Sequence, residues 1–352
     1  MIRYGVIGTG LMGCEHIRNI AAIETAAVAA IADPIQRSRQ WAIDACRADW
    51  QPAVFEDYRH MLASAEIDVV LIATPNFTHR AVLDDVFETN LHVFVEKPLC
   101  TTLSDCRHVA ERAASHKGIV WVGLEYRYMP PVAAFLAELA GGSVGDLKML
   151  SIREHRYPFL EKVGDWNRLT KNTGGTLVEK CCHFFDLMNL AVRTEPVSVF
   201  ASGGQDVNHL DEVYGGERSD ILDNAFVIVD YENGVRAHHD LCMFAEASRE
   251  EQELCAVGDA GKLECTVPGG VITKGNRKTR SCEQYQVPGD PRILHDGYHW
   301  GASYLEHLAL IESIREGKPP AVSVEEGMKS VAIGLAAHRS IEARRLVHLE
   351  EL

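Results

Sequence analysis

Gly8-Thr9-Gly10-Leu11-Met12-Gly13 spells a G-x-G-x-x-G directly after a short apolar run and directly before a helical pattern. Each glycine has its own physical task. The first permits a tight turn, the second lets the backbone approach a pyrophosphate, and the third allows close helix–strand packing. The helix N-terminus then offers amides and partial positive charge to the phosphates. Asp33 closes the next apolar run about 20 residues on, where a carboxylate can accept hydrogen bonds from the adenosine ribose hydroxyls. Together these predict a dinucleotide site. The carboxylate repels a 2′-phosphate, and Pro34 follows rather than a Ser or Arg that would welcome one, so NAD is favoured. Arg37 and Arg39 stand close enough in sequence to keep NADP open.

Two further sets of residues fall at strand ends. Thr74-Pro75-Asn76, with His79 opening a helix, reads alone as a proline-set turn with an Asn cap. Beside a dinucleotide site, Thr74, Asn76 and His79 also become candidates for touching cofactor, since ligands of open α/β sheets bind outside the carboxyl ends of the strands. The apolar His92-Val93-Phe94-Val95 ends in Glu96-Lys97-Pro98 and so points an acid and a base at that same crevice. An ordinary charged strand end is the alternative. Lysine, however, is seldom fully buried without a partner.

These sets, in this order, resemble the glucose–fructose oxidoreductase/inositol dehydrogenase (Gfo/Idh/MocA) family. The resemblance continues through Gly174-Gly175-Thr176-Leu177-Val178-Glu179-Lys180-Cys181-Cys182-His183-Phe184-Phe185-Asp186, which is similar to the family's Gly-Gly…Asp-x-x-x-His-x-x-Asp helix. It covers nearly the whole chain. It implies a Rossmann domain followed by an α/β domain whose open sheet forms subunit interfaces, hence a homodimer or homotetramer. It also implies that Lys97 and His183 are catalytic. Glu179 stands where many members have Asp, one methylene longer and four residues before His183, on the same face of a continuous helix. Glu179 could orient the histidine, bind a substrate hydroxyl or pair with Lys180. Cys181 and Cys182 read as packing and Asp186 as structural.

The chemistry expected is carbinol oxidation. A secondary alcohol loses hydride to nicotinamide only as its hydroxyl proton leaves to a base. Lys97 and His183 are expected to share the reacting oxygen, one transferring the proton and the other polarising the carbonyl. Arg153 to Tyr157 and Asp165-Trp166-Asn167-Arg168 carry groups suited to a hydroxylated ring, with solvated strand edge and loop as the alternative. Arg127, Arg156, Trp166, Arg168 and Lys180 are the candidate substrate contacts. Arg127, Arg153, Arg156, Arg168 and Lys180 together would make a cationic pocket suited to a sugar acid. The expected function is a sugar or cyclic-polyol dehydrogenase. The alternative is an NAD-dependent glycosidase that oxidises transiently, eliminates and returns the hydride, possibly on an anionic glycoside. A silent regulatory binder is disfavoured by the presence of both Lys97 and His183.

The elements must hold these groups. Ile2–Ile7, Ala26–Ala32, Val69–Thr74, His92–Glu96 and Ile119–Val122 are continuous Val/Ile-rich runs, as parallel strands buried on both faces are. Helical patterns at His79–Thr89 and Leu103–Lys117 alternate with them, giving a doubly wound sheet over residues 1–123. Residues 124–352 change texture. Asn233-Gly234 between two apolar stretches, and Gly258–Gly261 between two more, predict hairpins and an open, mainly antiparallel sheet. Helices follow over Ala302–Arg315 and from Glu325 to about Arg345, the second with Ser323 and Glu326 in capping-box spacing. The polar, Gly-rich stretches Gly203–Ser219 and Lys274–Gly289 read as loops, and His295, Tyr298, His299 and Trp300 cluster in a loop before a helix.

At 352 residues the chain is long enough for two cores. A net charge of −15 without basic blocks argues against nucleic acid and anionic membrane as partners. No apolar run reaches the roughly 18 residues of a membrane span. The ten cysteines lack CxxC or zinc-ligand spacing, so no metal is expected, and the N-terminus lacks a signal-peptide pattern. These features predict a cytoplasmic protein with reduced thiols, acting on a small carbohydrate.

Overall fold

The computed structural model describes residues 1–352. Its first part alternates β1 (Ile2–Ile7), α1 (Leu11–Ala21), β2 (Ala26–Ala32), α2 (Gln36–Ala45), β3 (Ala53–Phe55), α3 (Tyr58–Ser64), β4 (Val69–Ile72), α4 (His79–Val86), β5 (His92–Glu96), α5 (Leu103–Ala113) and β6 (Val120–Gly123). The six strands form one parallel sheet in the order β3-β2-β1-β4-β5-β6. The order reverses between β1 and β4, and that switch point opens the crevice in which Rossmann sheets bind nucleotides. The apolar runs read as buried strands are buried: all four residues of β4, and all of β5 beyond His92. β3 has no such run. It is three residues long with two exposed, so hydrophobicity does not announce it. Thr102 caps α5 as its spacing predicts, its Oγ1 accepting the Asp105 amide at 3.2 Å.

The second part holds α6 (Pro130–Ala140), β7 (Leu147–His155), α7 (Thr170–Thr173), α8 (Thr176–Glu179), α9 (Cys182–Val192), β8 (Pro196–Gly204), β9 (Val213–Tyr214), β10 (Glu217–Arg218), β11 (Asn224–Tyr231), β12 (Arg236–Cys242), β13 (Gln252–Gly258), β14 (Gly261–Val267), β15 (Val271–Asn276) and β16 (Ser281–Gln286). Helices α10 (Ala302–Glu316) and α11 (Val324–Ala343) and the short β17 (Val347–His348) complete the chain. Nine strands make a mixed sheet, β16-β15-β14-β13-β7-β12-β11-β8-β17. Every pairing in it is antiparallel except β12 on β7. Both predicted hairpins form, at β11–β12 and β13–β14. The capping box at α11 is reciprocal: Ser323 Oγ accepts from the Glu326 amide, and Glu326 accepts from the Ser323 amide at 2.7 Å.

The structure corrects two expectations about loops. Residues 274–289 are largely an edge hairpin, β15–β16, and a small two-stranded ribbon, β9–β10, interrupts 203–219. β16 is exposed along its whole length, so its side chains carry no alternating burial for a sequence to reveal. The chain also recrosses between two compact units. One comprises Met1–Glu125, Lys162–Asn167 and Pro291–Val331; the other comprises Tyr126–Glu161, Arg168–Asp290 and Ala332–Leu352. No helix is long and apolar enough to cross a membrane.

Candidate functional site

In the first unit the glycine loop is built as its spacing requires. A Cβ on Gly13 would lie 2.1 Å from the Gly8 carbonyl oxygen, so helix and strand pack this closely only without one. A Cβ on Gly10 would meet nothing within 4 Å, which leaves the space above the loop open. No side chain caps the start of α1, and its first turn carries no acid. The uncovered amides are the donor set a pyrophosphate takes. Asp33 is buried at the end of β2, its Oδ2 accepting the Thr9 amide and its Oδ1 the Ile35 amide, both at 2.8 Å. Arg39 is spent on the Asp33 carbonyl at 2.7 Å and on Glu56 at 2.8 Å, and Arg37 lies over the Trp41 ring. Neither is arranged around a 2′-phosphate. Asn76 is buried, and its Nδ2 finds no partner in the protein, the state of a donor kept for a ligand. These features fit NAD. Replacing Asp33 with Ala strands the Thr9 amide and should raise the dissociation constant for NAD about 10- to 100-fold, the equivalent of about 1–3 kcal/mol, in a fluorescence titration. An unchanged constant would remove Asp33 from the cofactor site.

Glu96 and His79 are both held by bonds within the protein. Glu96 is buried, and its Oε1 accepts from His16 Nε2 at 2.6 Å while its Oε2 accepts the Lys97 amide at 3.1 Å. Burial works against its charge, yet the His16 hydrogen bond holds its carboxyl below the ordinary range. His16 in turn meets the buried His307 of α10, Nδ1 to Nε2 at 2.9 Å. His79 is fully buried with Nδ1 at 2.9 Å from the Pro98 carbonyl and Nε2 at 3.0 Å from the Thr74 carbonyl. Its ring ties the Thr74–Asn76 turn to the Lys97-Pro98 turn and presents no nitrogen to a cofactor. Lys97 is thus flanked by two braced neighbours, Glu96 before it and Pro98 after it. Trp166 belongs to this same unit, edge-on to Phe77 in the turn after Asn76, with ring centroids 6.5 Å apart.

In the second unit the motif around His183 is not one helix. The Cys181 amide reaches back five residues to the Thr176 carbonyl at 3.4 Å, a π-type widening that ends α8 and restarts as α9. Such bulges recur at functional sites. Glu179 and His183 therefore sit on successive segments, which overturns the single helical face expected of them. The Gly-Gly start is obligatory here: Gly175 has φ +88°, and a Cβ on it would lie 2.3 Å from His338 Nε2. That same nitrogen accepts the Leu177 amide at 3.1 Å and so caps α8.

His183 is buried and stacks on Tyr126, with ring centroids 3.9 Å apart and planes 7° from parallel. Lys180 donates to Tyr126 Oη at 2.6 Å and pairs with the buried Glu154 at 2.9 Å. Neither Tyr126 nor Glu154 is among the candidate site residues that the sequence supplies. Tyr126 belongs to no periodic pattern, and Glu154 is visible there only as one polar residue of a strand edge.

The cations read as substrate contacts carry carboxylate partners. Arg127 makes a two-pronged pair with the buried Asp186, its Nε donating at 3.0 Å. Arg156 lies 3.3 Å from Glu154 and 3.6 Å from Glu251. Arg168 donates to the Phe159 carbonyl at 3.1 Å and lies 3.4 Å from Glu212. With Lys180 on Glu154, each of these four cations has a carboxylate partner within the protein.

Residues 2–124 match the oxidoreductase family described as having an NAD-binding Rossmann fold, and residues 137–349 match that family's C-terminal alpha/beta domain. The myo-inositol 2-dehydrogenase of Thermotoga maritima is 26% identical, over 100% of this chain and 99% of that one. The scyllo-inositol 2-dehydrogenase (NAD(+)) of Bacillus subtilis is 25% identical, over 99% and 96%. A levoglucosan dehydrogenase structure, in complex with NADH and levoglucosan, shares the fold with a TM-score of 0.85 at 18% identity, over 99% of both chains. With both halves of the chain matched, this protein belongs to the Gfo/Idh/MocA family and is an NAD-binding oxidoreductase.

Proposed function

We propose that this enzyme is a dehydrogenase for an uncharged cyclic polyol or sugar, with Lys97 and His183 carrying its proton chemistry. The observation that supports an uncharged substrate is the pairing of Arg127 with Asp186 and of Arg156 and Lys180 with Glu154. A substrate carboxylate would have to displace a buried partner, leaving a charge uncompensated at a cost of several kcal/mol. The relatives named for inositol oxidation support the ring class. When bound, NAD supplies the hydride acceptor. The chain's own part is to hold the ring, place Lys97 and His183 at the reacting hydroxyl, and move its proton as the carbon is oxidised. One of the two takes the proton, and the other polarises the oxygen.

The test is incubation with NAD and a panel of inositols, sugars, sugar acids and aryl glycosides, following nicotinamide absorbance and released aglycone together. Net NADH from neutral polyols is expected. Aglycone release with no change in absorbance would instead establish the redox-neutral glycosidase.

The outer face of the C-terminal sheet supports a homo-oligomer. Phe226 and Ile228 of β11 and Phe200 of β8 stand exposed there, with Ile228 opposite Phe200 in the ladder. Apolar side chains gathered on one sheet face are a usual mark of association. Phe226→Asp with Ile228→Asp should convert a dimer or tetramer to monomers in sedimentation velocity. An unchanged sedimentation coefficient would exclude this face. The ten cysteines, six of them buried and none in CxxC spacing, support a reducing, cytoplasmic setting.

A further inference from the structure

We propose that Lys180 and Tyr126 are positioning residues for His183: Lys180, anchored on Glu154, pins the phenol on which the His183 imidazole lies. The inference rests on the reading that His183 takes part in proton transfer.

The contacts run in a line from the sheet to the imidazole. Glu154 is on β7, in the middle of the nine-stranded sheet and fully buried. Its Oε1 holds Lys180 Nζ at 2.9 Å and Arg156 Nη1 at 3.3 Å. Lys180 stands at the widened turn between α8 and α9 and spans from that carboxylate to Tyr126 Oη at 2.6 Å. The Tyr126 ring then carries His183 face to face, and Phe184 closes on the same phenol edge-on at 5.6 Å. A ring that carries another face to face positions it only as well as it is itself positioned. The hydrogen bond at the far end of the phenol holds the para oxygen in place, so the surface on which the imidazole lies cannot shift.

The residue types argue for this role. A buried Lys–Glu pair adds little stability over apolar residues of the same volume, since desolvation offsets most of the attraction. Packing alone does not call for an ammonium at position 180. A fixed point for a phenol oxygen does, and functional groups need rotamers locked by surrounding hydrogen bonds to stay within about half an ångström of productive geometry. The same anchoring explains why Lys180 is held inside the protein rather than presented to a substrate.

The test uses the full-length, NAD-loaded protein with isotopically labelled histidine, in which the His183 ring signals are identified by their loss in His183→Gln. In the wild type those signals are expected to be displaced by the Tyr126 ring current. Tyr126→Phe keeps the ring and removes only the oxygen, and Lys180→Met keeps the length and removes the charge. In both, the His183 signals should move toward the positions of an unstacked histidine, with circular dichroism and thermal midpoint confirming a folded chain. If Lys180→Met fails to fold, Tyr126→Phe decides alone. His183 signals that hold their wild-type positions in the folded variants would overturn the proposal.

On whichever polyol gives NADH, kcat should fall on the order of 10-fold or more in both variants, as a displaced catalytic group predicts. KM and NAD affinity should stay near wild type. A loss confined to KM would instead make Lys180 a substrate contact and overturn the positioning role. Should no polyol give NADH, the dehydrogenase reading fails by itself, and the spectra still decide this inference.

Discussion

Lys97→Ala and His183→Ala are each expected to lower hydride transfer about 10²- to 10⁴-fold while leaving NAD affinity within a few-fold, the range for loss of a positioned acid or base. Single-turnover reduction of bound NAD is the measurement, because it isolates the chemical step from product release. The two lesions should also be strongly non-additive. Groups that share one reacting oxygen act as a unit, so the double variant should lose little beyond the worse single one. Near-wild-type transfer in either single variant would remove that residue from the proton chemistry. Losses that add fully would show that the two act in separate steps. The braces around Lys97 give the comparison a control. His79→Gln leaves the amine in place but cuts a link between the Pro98 and Thr74 carbonyls, so it should cost less than removing Lys97 itself.

Acid should destabilise the protein steeply between about pH 6.5 and pH 4. Burial pushes His239 down to about 4 and His338 down to about 4, and burial with the neighbouring His16 holds His307 well below the usual histidine range. The unfolded chain binds protons at His239 and His338 near 6.5, whereas the folded chain refuses them until about pH 4. Stability from their neutral forms is therefore complete above 6.5, falls as the pH drops through the window, and levels off below it. At 1.36 kcal/mol per pKa unit, His239 and His338 each account for about 3 kcal/mol, so together they consume roughly half of a typical domain's stability. Urea midpoints at pH 7 and pH 4.5 measure this, and equal midpoints would refute it. At the bottom of that window, near pH 4, the site should feel the loss directly. His338 accepts the Leu177 amide only while Nε2 is unprotonated, and that bond caps the segment leading to Glu179, Lys180 and His183.

The cofactor half was legible because its physics is local. Strand, glycine turn, helix and Asp33 are consecutive, each dictated by backbone sterics or by apolar runs, so β1, β2 and β5 lie where the apolar runs place them. The His183 region was legible as a string of residue types but not as a geometry. A regular helix puts residues four apart on one face; the widened turn at Lys180–Cys181 breaks that relation, and nothing in the residue types marks an amide bonding five residues back instead of four. The edge hairpin β15–β16 escaped for a different reason. A strand exposed on both faces has no alternation to detect.

Residue order alone thus determined the Rossmann fold and the glycine loop with Asp33 after the second strand, because each follows from short-range backbone and apolar-run chemistry. Lys97 and His183 were singled out by the family resemblance and are the pair to test. Only the tertiary structure decided what the charged residues do. Asp186 is remote in sequence from Arg127, and Glu154 from Lys180, yet burial brings each pair within ion-pair distance. Charges taken from water must be compensated where they stand, so folding gave these cations carboxylate partners and gave Lys180 a phenol to hold.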